Sequence, residues 1–154
     1  MQTSYHMKDN NVYQKVITRI DSSPEYVFQC LGTTKGIQQW FPELSFKGTE
    51  RLIFDLGNEE FEDMEIFRYE NPKFIHFAWA EGEVEILLDA EEDNTQLVLN
   101  ERLPASFENA ARDFSGWQFK VESIKNCAEH GEPLEMDRQH FESVQQEIEK
   151  NLNL

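Results

Sequence analysis

PASFENAARDFSGWQFKVESIKNCAEHG, residues 104–131, marks the point where the hydrophobic period of the chain changes from two to 3.6 residues. Phe107, Ala110, Phe114, Trp117, Val121, Ile124 and Ala128 recur every three or four positions, which predicts one long amphipathic helix. Its start falls between Ser106 and Asp113. Gly131, after His130, suits the left-handed conformation that closes a helix. A helix with such a stripe needs a second layer to cover it.

Upstream of Pro104 lie five strand-like runs: 51–56 (RLIFDL), 61–69 (FEDMEIFRY), 73–79 (KFIHFAW), 83–89 (EVEILLD) and 95–101 (TQLVLNE). The breaks hold Gly57-Asn58, Asn71-Pro72, Glu81-Gly82 and Asp93-Asn94, all turn formers. No helical segment separates the runs, so they read as an antiparallel meander. Farther upstream, residues 12–20 (VYQKVITRI) alternate as a strand, with Val12, Val16 and Ile20 on one face. Asp21-Ser22-Ser23-Pro24-Glu25 then starts a short helix: a serine caps, Pro24 fits the first turn, and Glu25 meets the positive end of the dipole. Thr33 or Thr34 caps a second short helix that ends at Trp40-Phe41-Pro42. The last helix is expected from Asp137 to Asn151, with a narrow stripe of Phe141, Val144 and Ile148. The order implies an α+β domain in which a curved antiparallel sheet wraps around the long helix. Packed core or a cavity fills the space between them.

The chain has 154 residues, enough for one domain with a real core, and 12 Phe and 3 Trp to build it. The net charge of −16 argues against nucleic acid and anionic membrane as partners. Met1 to Asn11 is polar and unlike a signal peptide, so a cytoplasmic location is expected. Cys30 and Cys127 form no CxxC and read as small buried residues.

Three local signatures, in order, resemble a known superfamily. The first is a strand followed by Ser23-Pro24-Glu25-x-Val27-Phe28, Leu31 and Trp40-Phe41. The second is Tyr69-Glu70-Asn71-Pro72-Lys73 before a strand ending in Trp79. The third is Thr95-x-Leu97-x-Leu99, then Gly116-Trp117 in the long helix. Together they look like the START-like, or SRPBCC, superfamily, and within it the branch similar to the activator of heat-shock-protein-90 ATPase. The resemblance covers about residues 10–131 and implies the helix-grip fold. It divides the chain into a START-like domain, 1–131, and a C-terminal extension, 132–154, with a short amphipathic helix.

Candidate chemistry is sparse. His6, His76, His130 and His140 form no metal-ligand spacing, and there is no GxSxG or P-loop. No cofactor and no catalytic residue is expected. Glu101 with Arg102, and Glu65 with Arg68, offer acid–base pairs, although such pairs commonly sit exposed across strands. His76, in the central run, is either an outward residue or a polar handle in a pocket. Trp40, Phe54, Phe77, Trp79, Phe114 and Trp117 serve a core as well as a cavity. The resemblance favours a cavity, because START-like domains commonly hold apolar ligands between sheet and helix. Gly116, inside the long helix, hints at a close approach there. Three functions follow from these readings: binding of a hydrophobic small molecule, a chaperone-linked interaction module, or an aromatase or cyclase-type enzyme. The extension offers a surface for a protein partner or a homodimer.

Overall fold

Ser23 ends one element and begins the next. Its hydroxyl accepts the Tyr26 N–H at 3.3 Å, with Pro24 opening the helix behind it. Similar local decisions set the whole order in the computed structural model, which describes residues 1–154. The elements are β1 (Gln2–Lys8), β2 (Asn11–Ile20), α1 (Pro24–Gly32), α2 (Thr34–Ile37), β3 (Leu44–Lys47), β4 (Arg51–Gly57), β5 (Glu60–Glu70), β6 (Phe74–Trp79), β7 (Gly82–Glu91), β8 (Asn94–Pro104), α3 (Ala110–His130) and α4 (Arg138–Leu152).

The strands form one antiparallel sheet in the order β1-β2-β8-β7-β6-β5-β4-β3. The first hairpin therefore closes on the last strand, and α1 and α2 carry the chain across to the far edge. Period-two alternation puts Val12, Val16 and Ile20, Ile75, Phe77 and Trp79, Val84, Ile86 and Leu88, and Leu97, Leu99 and Leu103 on the concave face. The stripe of α3 covers that face with Phe114, Trp117, Val121 and Ile124. Gly82 lets β7 begin tight against β8: a Cβ there would lie 1.7 Å from the Arg102 carbonyl oxygen.

The structure adds two strands to those read from the sequence. In β1 only Tyr5 is even half-buried, so there is no apolar alternation to detect. Its order comes from its ladder with β2. The other, β3, is only four residues long. Phe107 precedes α3 rather than lying within it, and packs from the preceding turn.

After Gly131, at φ 82°, the chain crosses exposed residues and returns as α4. Asp137 caps α4 by accepting the His140 N–H at 3.2 Å. Ile148 and Leu152 are buried against Val12, Leu103, Ala110, Ala111 and Phe114, so α4 turns its stripe onto its own domain. The docking does not require a glycine at Gly116, where a Cβ would make only an ordinary contact. Its nearest neighbour is the Phe141 ring, 3.9 Å from where a Cβ would sit, and no strand approaches it.

Candidate functional site

Six rings from four regions meet between α3 and the β4–β6 part of the sheet. The turn after α2 supplies Trp40 and Phe41, β4 supplies Phe54, β6 supplies Phe77 and Trp79, and α3 supplies Trp117. Trp117 is the hub. Its ring lies 5.1 Å from Trp79, 6.2 Å from Phe41 and Phe77, and 6.3 Å from Trp40. Phe54 reaches Phe41 at 5.4 Å and Trp79 at 5.7 Å. Three of these six pairs, Trp40–Trp117, Phe41–Phe54 and Trp79–Trp117, meet edge to face, the arrangement the ring quadrupoles favour. Trp40 is pinned by its indole N–H, donated to the Cys30 carbonyl at 2.7 Å. At the rim, Lys120 stands 4.0 Å over the Phe41 ring and donates to the Trp40 carbonyl, and burial pulls its pKa below the ordinary lysine value. The Trp117 indole N–H is buried with no acceptor.

Of the candidates named from the sequence, Trp40, Phe54, Phe77, Trp79 and Trp117 come together. Two do not. Phe114 lies one turn earlier on α3 and joins the separate cluster under α4. His76 points out of the other face of the sheet, as strand alternation requires for a neighbour of buried Ile75 and Phe77. There it meets Glu83 at 3.0 Å and tilts against the exposed Phe67. Burial alone would raise the Glu83 pKa, but hydrogen bonds from Arg102 and His76 hold it below the usual carboxylate range. Arg102 also lies on this outer face, and Glu65 and Arg68 are exposed. The principal clefts lie between α3 and α4 and on the outer surfaces, and none is lined by the six rings. The interior gap is filled by the rings themselves. No group of His, Cys, Asp and Glu is placed to hold a metal ion. Cys30 and Cys127 are buried free thiols.

Beside the rings runs a polar network that sequence patterning did not anticipate. Gln14 of β2 donates one N–H to Glu101 Oε1 at 3.1 Å and the other to the Phe114 carbonyl at 3.0 Å. Its own oxygen accepts from Gln118, at 3.2 Å, which also donates to the Tyr5 hydroxyl. Glu101 is 1% exposed, and its Oε2 has no donor. The Asp113 carboxyl of α3 lies within hydrogen-bonding reach of it. Asp113 in turn accepts the Trp79 indole N–H, at 3.1 and 3.2 Å to its two oxygens. Burial first, and the Asp113 carboxyl second, push the Glu101 pKa well above the usual carboxylate range. Trp79 belongs to both regions, its ring in the aromatic cluster and its N–H in the acid network. The sequence signal for Glu101 was its inward parity with Leu97, Leu99 and Leu103.

A conserved protein of unknown function from Enterococcus faecalis, EF2215, is similar to this chain with a TM-score of 0.88 and 25% identity, over 98% of this chain and 92% of that one. CalU16 from Micromonospora echinospora superposes with a TM-score of 0.68 at 21% identity, over 95% of this chain and 90% of its own. The Aha1 dimer from Colwellia psychrerythraea gives 0.64 at 21%, over 76% and 97%. This chain has the START-like helix-grip fold. No family model and no curated protein matches the chain. In this helix-grip fold the six rings occupy the space between the gripped helix and the sheet. No helix is long and apolar enough to cross a membrane.

Proposed function

We propose that this chain binds a small hydrophobic ligand between α3 and the aromatic half of the sheet. One observation carries the reading. Of the strands, α3 packs its backbone most closely on β2, and towards β4 and β6 the rings of Trp40, Phe41, Phe54, Phe77, Trp79 and Trp117 stand between helix and sheet, with Leu52, Met64 and Ile66 in the same core cluster. Rotation of these rings would open a space lined mostly by apolar surface, with the unpartnered Trp117 indole N–H as its polar group. A ligand would be held by burial, at about 25 cal/mol per Å2 of apolar area. Such binding tolerates variation in the ligand and is little affected by salt. The three signatures around Ser23, Asn71 and Gly116 support reading the chain with the branch similar to the activator of heat-shock-protein-90 ATPase. A dimer like that of Aha1 would have to form outside the α4 stripe, which is already covered.

Titration with Nile red, palmitate and a flavonoid, followed by tryptophan fluorescence at low and high salt, tests the reading. Saturable quenching, equal at both salt concentrations and lost in Trp79→Phe together with Trp117→Phe, supports it. If none of the three binds at micromolar concentration, the ligand reading falls. The interaction-module reading then takes its place, with the exposed Leu56 and Phe61 of the β4–β5 hairpin as its apolar surface.

A further inference from the structure

Glu101 is the one carboxyl group of the molecule placed in the interior with almost no exposure, and the ligand reading makes no use of it. The groups around it leave little choice of protonation state. From β2 it faces Gln14, which is neutral and whose two N–H groups are both committed. From α3 it faces Asp113, while Gln118 and, through it, Tyr5 of β1 lie one bond farther away. Across the sheet its partner on β7 is the apolar Val84. From β6 comes only the Trp79 indole, bound to Asp113. α4 turns Val144, Ile148 and Leu152 towards the neighbouring Phe114 cluster. No cation reaches the site. Arg102 is turned to the other face and held by Glu83 and Asn11, Arg112 is exposed, and Lys120 is held at Trp40.

A buried carboxylate beside a second carboxylate, with one neutral donor and no cation, would not stay ionised. A proton on Oε2 removes both difficulties. It gives the unpartnered oxygen a hydrogen bond to make, and Asp113 is the acceptor in reach. The chain of donors then closes without a gap, from Gln118 to Gln14, to Glu101, to Asp113, with Trp79 donating to the same Asp113. This chain ties β2 and β8 to the first turn of α3 and to the ring at the edge of the aromatic cluster.

We propose that Glu101 and Asp113 share one proton, and that this proton latches the first turn of α3 and the Trp79 ring over the aromatic site. When the proton leaves to solvent as pH rises, two carboxylates face each other in the interior. The cheapest relief is for Asp113, half-exposed already, to swing to water with the N-terminal turn of α3. Trp79 then loses its acceptor and becomes free to rotate. The regulation of ligand entry rests on the ligand reading; the latch itself does not.

The test needs no ligand. In the full chain, the 13C carboxyl signal of Glu101 and the indole 15N–1H signal of Trp79 are followed as pH is raised. Glu101 should keep its proton above the ordinary carboxylate range and release it as pH rises further, and the Trp79 signal should move with it. Hydrogen exchange in residues 110–116 should rise by about tenfold per pH unit above that of residues 121–127, once intrinsic rates are removed. Glu101→Gln keeps an N–H for Asp113 and an oxygen for Gln14, so its Trp79 signal should be flat. Asp113→Asn keeps an acceptor for Trp79 and removes the like charge, so the Glu101 transition should move to lower pH. A Glu101 that ionises within the ordinary carboxylate range, a Trp79 transition that survives in Glu101→Gln, or exchange that rises equally in both halves of α3 would overturn the latch. Nile red affinity on either side of the transition forms a separate arm. Tighter binding at the higher pH in the wild type but not in Glu101→Gln supports control of the site. Equal affinity on both sides overturns that control, and no binding at either pH sinks the ligand reading while the carboxyl and indole signals still judge the latch.

Discussion

The two ends of α3 are held to the same sheet by different physics. Around Trp117 and beyond, the helix meets rings and aliphatic side chains, with the Trp117 N–H left without a partner. Around Phe114 to Gln118 it meets Gln14 and Tyr5 through directed hydrogen bonds, with Glu101 bound to Gln14 beside it and α4 packed behind Phe114. Burial is non-directional, so rings can slide and turn while keeping most of their contact. A buried hydrogen-bond network has one good arrangement and loses heavily when a member is misplaced. The aromatic end is therefore the part whose side chains can shift at small cost, and the polar end is the part that sets where the helix sits.

The strongest test of this contrast is Trp117→Ala, which should destabilise the domain by about 3–5 kcal/mol in chemical denaturation if the rings form one packed unit. A loss below about 1 kcal/mol would show that the cluster closes over the gap without cost, and the contrast would collapse. At the other end, Ile148→Ala should cost about 2–4 kcal/mol, because this side chain is buried between α4 and the Phe114 cluster. A negligible loss would mean that α4 is not part of the folded unit, and fast exchange across residues 138–152 would accompany it.

The third test uses pH. The folded pKa of Glu101 is raised above its unfolded value, so the folded state binds the proton more tightly. Its contribution to stability is complete below the ordinary carboxylate pKa and is lost as pH rises towards the raised value. In that window stability should fall by at most about 1.4 kcal/mol per pH unit. Denaturation midpoints across pH should show this decline in the wild type and not in Glu101→Gln. The smallest effect belongs to the outer face. His76→Ala should cost under about 1 kcal/mol, since its Glu83 partner is partly exposed, and should leave any ligand titration unchanged. The sign at Glu83 is opposite: its pKa is lowered, so its stabilisation is present above the ordinary carboxylate value and fades as pH falls through the lowered one.

Period and punctuation were enough to reveal most of the architecture. Ser23-Pro24, the turn pairs between strands and the stripe from Ala110 to Ala128 are local signals, because caps, turns and amphipathic faces are decided within a few residues of chain. The edge strand β1 carried no such signal. Its residues are polar and exposed, and only pairing with β2 orders them. His76 shows the limit for sites: parity states that it faces away from Phe77, yet only the packed sheet states which of the two faces is the inside.

The sequence alone determined the alternation, the turns, the long helix and hence an antiparallel sheet gripping it, since each follows from short-range geometry and the need to cover an apolar face. The tertiary structure decided that the rings fill the gap, that Phe114 leaves them for α4, and that Glu101 meets Asp113. The physical reason is distance along the chain. Gln14, Trp79, Glu101 and Asp113 come from four elements, and the charge state of a buried acid depends on neighbours that only the fold brings within a few ångströms of it.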